Sequence, residues 1–135
     1  GMDVLQFAFG DSPRNPYLPH NVRADSVMYT GTHDNDTTGG WFASIDATVR
    51  EDFARYIGAE PAEEVRDLVR MAYRSVADYA IVPMQDVLEL GSEARMNIPG
   101  EAEGNWSWRM THEQLAGCDA AWLREFAEIS GRLRP

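Results

Sequence analysis

The sequence has 135 residues, 44% hydrophobic and 25% charged, the size and balance of one small globular domain rather than a disordered chain. A net charge of −10 argues against nucleic acid or an anionic membrane as partner, because both recruit basic surfaces, and fits a neutral substrate such as a sugar or peptide. No apolar run approaches the ~20 residues a bilayer span requires, the start "GMDVLQFAFG" is no signal peptide, and the single cysteine, Cys118, favours a reducing, cytoplasmic compartment.

Residues 4–9, "VLQFAF", are apolar almost throughout and read as a buried strand. With no solvated leader before it, the chain reads as a piece of a larger protein. A loop punctuated by prolines and asparagines follows. "VMYTGT" (27–32) is a second buried strand, ending in His33, Asp34, Asn35 and Asp36. Thr37 or Thr38 then caps a helix whose apolar face is Trp41, Phe42, Ile45, Val49, Phe53 and Tyr56, and Gly58 stops it. Pro61, Glu63 and Glu64 open another helix, with helical spacing from Val65 to Tyr79.

"AIVPMQDVL" (80–88) reads as a third buried strand, despite its internal proline. Residues 91–110 have too many glycines and too little periodicity for a helix. Thr111 and Gln114 form a capping box for a last helix, interrupted at Gly117, with Trp122, Phe126, Ile129 and Leu133 on its apolar face. Buried strands alternating with helices predict an α/β fold with a parallel sheet. Three such strands leave both sheet edges open. The expected architecture is therefore part of a (β/α)₈ barrel, with residues 1–135 as one fragment of it and self-association through the open edges as a consequence. In such barrels the polar residues just after a strand face the active site, which singles out His33, Asp34 and Asp36, then Gln85 and Asp86.

Three readings of the His33–Asp36 cluster compete. It is a turn, in which Asp and Asn bond their own backbone. Or it is a metal site, although neither calcium-loop spacing nor a second histidine four residues on is present. Or it is an acid–histidine pair gripping a sugar ring, the carboxylate accepting hydroxyl hydrogen bonds that strengthen as positive charge develops on the sugar. Arg95 and Asn97 in "ARMNIPG" would add donors, and Trp106, Trp108 and Tyr17 flat apolar faces, although most such aromatics simply pack in cores. His20 and His112 read as structural or solvated.

The segments "VLQFAF", "NPYLPHN", "YTGTHDNDTTGGWF", "LELGSEARMNIPG" and "GNWSWR", in that order, closely resemble the C-terminal part of the 4-α-glucanotransferases, the amylomaltases or disproportionating enzymes of glycoside hydrolase family 77. The resemblance runs from Val4 to about Leu133. It implies a (β/α)₈ barrel and retaining, two-step transfer of α-1,4-glucan segments to the 4-hydroxyl of glucose or another glucan. No metal and no organic cofactor is expected. The implied partners are maltooligosaccharides or glucans derived from starch or glycogen.

By motif position Asp34 resembles the family's third catalytic carboxylate, a transition-state stabiliser. His33 resembles its partner on the donor glucose, and Asn97 an asparagine that contacts sugar. Two residues depart from the family pattern: Gly39 stands where a larger residue is usual, and Glu89 where glycine is usual. The nucleophile and the acid/base, which retaining chemistry needs about 5–5.5 Å apart, fall in this family upstream of the matching region. The chain alone is therefore expected to be inactive. The rival functions are a stand-alone carbohydrate-binding module or inactive remnant, and an unrelated α/β domain in which the cluster is only a turn.

Overall fold

A computed structural model describes residues 1–133. Its centre is a parallel sheet of three short strands, β1 (Met2–Val4), β2 (Val27–Tyr29) and β3 (Tyr79–Ile81), in that spatial order. The register aligns Met2, Val27 and Tyr79, then Asp3, Met28 and Ala80, then Val4, Tyr29 and Ile81. Because side chains alternate along a strand, Met28 and Ala80 point to one face. There Met28 is fully buried and Ala80 packs on a core of Leu5, Phe42, Phe53, Leu68, Met71 and Ala72. Met2, Tyr79 and Ile81 lie on the other face and are 61%, 63% and 47% exposed. One helical layer on a parallel sheet, with an apolar face left open, is what these residues build; among the described residues no barrel closes.

That layer comes from α1 (Thr38–Ser44), α2 (Ala47–Ile57) and α3 (Glu64–Arg74). Helix α3 is amphipathic on two sides. Leu68, Met71 and Ala72 enter the main core, while Val69 joins Trp122 and Phe126 of α6 (Ala121–Ile129) in a second cluster. Arg66 and Arg70 stack over the Trp122 and Phe126 rings at 5.2 and 4.6 Å, so α6 is held by cation–π contacts as well as apolar area. The short helices α4 (Met84–Val87) and α5 (His112–Ala116) complete the set.

The expected order of strands and helices is present, with five differences, the first being that β2 stops at Tyr29 rather than running to Thr32. The buried run 4–9 is not a strand beyond Val4: the chain turns at once into a 3-10 helix, Leu5–Phe7, and Leu5, Gln6 and Ala8 are buried through tertiary packing. The single helix expected from Thr38 to Gly58 is two helices, because Asp46 caps a new start by accepting from the Val49 N–H at 3.0 Å. Helix α3 ends at Arg74, so Tyr79 belongs to β3 rather than to a helical face. The third strand stops at Ile81, because Pro83 cannot donate to a ladder and instead opens α4. The capping box at Thr111 and Gln114, the αL stop at Gly58 (φ 75°) and the break after α5 at Gly117 all form as expected. Ile129 is 60% exposed, and Leu133 lies beyond the helix, 42% exposed.

Candidate functional site

Segment 31–37 leaves the end of β2 and delivers the chain to α1. Both its flanks are gripped by one buried side chain. The carboxylate of Asp86, on α4 and 1% exposed, accepts from the Thr30 hydroxyl at 2.6 Å, the Thr38 hydroxyl at 2.7 Å and the Thr38 N–H at 2.8 Å. Burial raises the Asp86 pKa above the ordinary carboxylate value, against the three donors that lower it. From the other side Gln6, buried just after β1, donates to the Asp36 carbonyl at 3.0 Å.

Within the segment, Asn35 and Asp36 are committed to the backbone and to neighbouring loops. The Asn35 side-chain oxygen accepts from the N–H and hydroxyl of Thr32, at 2.9 and 2.8 Å. Asp36 accepts from the Thr37 N–H at 2.8 Å and the Ser92 hydroxyl at 2.7 Å, and Thr37 caps α1 through the Gly40 N–H at 3.0 Å. The turn reading thus describes half of the cluster. It does not describe His33 and Asp34, whose side chains remain 56% and 53% exposed beside each other, 3.4 Å apart from His33 Nε2 to Asp34 Oδ1.

The late loop converges on this pair. Asn97 Nδ2 donates to Asp34 Oδ1 at 2.7 Å, across sixty-three residues of sequence. The Arg95 guanidinium spans two main-chain carbonyls, donating from Nη2 to Asp34 O at 2.8 Å and from Nε to Asn97 O at 2.9 Å. The Trp106 ring lies 5.1 Å from the His33 ring, tilted by 41°, and is itself 51% exposed. Trp106 reaches this place in a left-handed conformation, φ 59°, uncommon for so bulky a residue, while its N–H bonds Met96 O at 2.6 Å. Asn105 closes the same loop by accepting from the Ile98 N–H at 2.8 Å and donating to Glu101 O at 2.9 Å.

Of the residues singled out for the site, the structure brings together His33, Asp34, Arg95, Asn97 and Trp106. Arg95 differs from expectation in one respect, since its two observed bonds go to the backbone. It braces the loops through those groups. Asp86 does not face the open end of the sheet, as its position after a strand suggests, because the chain coils into α4 there, whereas Gln85 lines a small cavity with Thr32, His33 and Arg95. Gln85 is buried and donates to Ala94 O at 3.2 Å. Tyr17 packs edge-on against Phe7 at 5.7 Å, and His20 is held between Tyr56 Oη and Pro13 O, both at 3.0 Å. His112 is the exposed first residue of α5. Among the described residues no group of three His, Cys, Asp or Glu is arranged to hold a metal ion.

Sequence reasoning missed the supporting residues Gln6 and Ser92, and singled out Asp86 as facing the site when it is buried beneath it. The signal for Gln6, and for the burial of Asp86, was a polar side chain inside an apolar run, "VLQFAF" and "IVPMQDVL", since a buried polar group needs a partner.

Comparison with known proteins follows the same lines. Residues 1–115 match the family model described as 4-alpha-glucanotransferase. The chain is 48% identical over 141 residues to the 4-alpha-glucanotransferase of Thermus thermophilus, covering 98% of this chain and 28% of that protein. It is 47% identical over 137 residues to the chloroplastic/amyloplastic 4-alpha-glucanotransferase of Solanum tuberosum, covering 98% of this chain and 24% of that one. The fold superposes on the amylomaltase from Streptococcus agalactiae, solved in complex with acarbose, with a TM-score of 0.92 and 33% identity, over 99% of this chain and 28% of that one. The chain spans about a quarter of the length of these relatives. With the family model matched over most of its length and nearly half its residues shared with such relatives, the chain belongs to the 4-alpha-glucanotransferase family.

Proposed function

We propose that this chain is part of a 4-α-glucanotransferase that moves α-1,4-glucan segments from a donor to the 4-hydroxyl of glucose or another glucan by retaining double displacement. Its place would be the C-terminal portion of the catalytic (β/α)₈ barrel, with residues 1–135 forming one fragment of that domain. Maltooligosaccharides and starch- or glycogen-derived glucans are the substrates, and a soluble compartment such as the cytoplasm the setting. The observation that carries this reading is the exposed Asp34 carboxylate, bonded by Asn97, flanked by His33 and Trp106, at the C-terminal end of a parallel strand.

The Asp34 carboxylate, whose Oδ1 is taken by Asn97, and the His33 imidazole are exposed side by side, a pair that accepts from one sugar hydroxyl through Oδ2 and donates to another. Hydrogen bonds from a sugar hydroxyl to a carboxylate strengthen as the ring approaches an oxocarbenium ion, so Asp34 lowers the barrier rather than only binding. Asn97 fixes the carboxylate rotamer, and the Trp106 ring offers a flat apolar face for a sugar.

Two other carboxylates near the strand ends are already engaged. Asp86 is buried under three donors, and Asp36 is bound to Thr37 and Ser92. Our reading is that the two reacting carboxylates belong to another part of the full-length protein, as the family resemblance implies, and that this chain by itself transfers no sugar. Purified residues 1–135, folded by circular dichroism, should leave maltotriose unchanged, whereas the protein in its natural full length should convert it to glucose and longer oligomers. Turnover by the isolated chain would overturn the fragment reading. Inert full-length protein that still binds maltooligosaccharide would favour the binding-module or remnant reading instead.

A further inference from the structure

The geometry points to Asp86 as a positioning residue for Asp34: from inside the fold it sets the height and direction of the segment that presents the carboxylate to sugar. This inference rests on the proposed role of Asp34.

Asp86 does not touch the site. It is 1% exposed, on a different element, and its oxygens meet Thr30 and Thr38, the residues immediately outside segment 31–37. One carboxylate thus closes a loop at its base, fixing where it leaves β2 and where it enters α1. Closing a loop through its two ends removes most of its freedom, and the bonds used are charge-assisted and shielded from water. Gln6 at the Asp36 carbonyl, and Arg95 at the Asp34 carbonyl, add restraint nearer the tip, so the segment is held at base, middle and crown.

A residue serving only the general packing of α4 could meet any nearby donor. This one bonds both flanks of the only segment that carries His33 and Asp34. The Thr30 hydroxyl and the Thr38 hydroxyl converge on the same oxygen, Oδ2, so the spacing of the two flanks is set by a single atom.

The test uses the natural full-length protein and acarbose as probe, with affinity read by calorimetry at a temperature where every variant is folded. Asp34→Asn, Asp86→Asn, Thr30→Val and the doubles with Asp34→Asn are compared. Thr30→Val removes a single tie and keeps a β-branched shape at the strand end, so it covers the case in which Asp86→Asn does not fold. The expected result is weaker binding by at least about fivefold for Asp86→Asn or Thr30→Val alone, and no further loss when either is added to Asp34→Asn, because both act through the same carboxylate. Full additivity, or no loss in either single variant, overturns the positioning role. If Asp34→Asn itself binds acarbose normally, it is the Asp34 reading that fails, and the two failures are distinguished.

Discussion

Replacing Asp86 by alanine tests how much a buried carboxylate contributes when it serves three donors. The substitution strands the Thr38 N–H, which cannot turn, and two hydroxyls, which can. An unsatisfied buried donor costs about 1–3 kcal/mol, so one fixed donor plus two partly rescued ones amounts to roughly 3–5 kcal/mol. Against that stands the release of Asp86 itself from a site whose burial disfavours its charge. The net is a loss of about 2–4 kcal/mol, a large share of the 5–15 kcal/mol typical of a domain. For a domain of this size it lowers Tm by roughly 10 °C.

Asparagine at the same position keeps an acceptor for the Thr38 N–H and should cost about 1 kcal/mol. It also removes a titration. Because burial raises the folded-state pKa above the unfolded one, the native state holds its proton more tightly. The contribution of Asp86 to stability is therefore full below the unfolded value of about 3.9 and is lost as pH rises through the folded value. Urea unfolding from pH 3 upward should show the unsubstituted protein losing stability relative to Asp86→Asn across that window. An alanine variant as stable as the parent, or a parent that gains on Asp86→Asn with rising pH, would refute the reasoning.

In the natural full-length protein, Arg95→Ala removes the fork between the carbonyls of Asp34 and Asn97; two charge-assisted bonds in a half-buried place set a loss of about 1–3 kcal/mol in site order, read as roughly a 5- to 150-fold fall in kcat/KM on maltotriose. Lysine should restore little, since an ammonium cannot span both acceptors, and full recovery in Arg95→Lys would count against the bracing role. Arg132 caps α3 by donating to Tyr73 O at 2.7 Å and to Ser75 O and Ala77 O at 2.9 Å, so Arg132→Ala should cost about 2–3 kcal/mol in urea unfolding and leave acarbose affinity unchanged. Gly39→Ala should destabilise by about 1 kcal/mol, because the new Cβ sits 3.0 Å from Leu90 O; paired with Glu89→Gly, which frees the residue before Leu90 from φ 53°, its cost should shrink by at least about 0.5 kcal/mol, and strict additivity would be contrary.

That last pair shows what sequence reading leaves out. Gly39 and Glu89 are separate departures from the family pattern along the chain, yet they meet across Leu90. A glycine with tight space for a side chain against Leu90 O stands near a glutamate held left-handed, tied to Arg66 at 2.8 Å. The elements were legible where local chemistry speaks alone: the capping box at Thr111, the αL stop at Gly58, the amphipathic spacing of α3. They were misread where burial without strand pairing imitates a strand, as after Val4, and where a proline opens a helix inside an apolar run, as at Pro83.

Within the site, His33, Asp34 and Asn97 could be picked out because their motifs resemble a family. The bond between Asn97 and Asp34 could not, since it spans two loops that approach only when the sheet forms. Asp86 was singled out by its position after the third strand, but its supporting role beneath the site was not legible there. Its two threonine partners lie forty-eight and fifty-six residues away, a distance no periodicity encodes.

The central claim is that Asp34 stabilises charge on a donor sugar. The direct measurement is the initial rate of glucose release from maltotriose by the natural full-length protein and by its Asp34→Asn variant, with folding matched by near-ultraviolet circular dichroism. The account predicts a fall of at least about 100-fold in kcat, since the amide keeps the shape and loses the charge that the transition state requires. A variant that releases glucose at close to the parent's rate would contradict it.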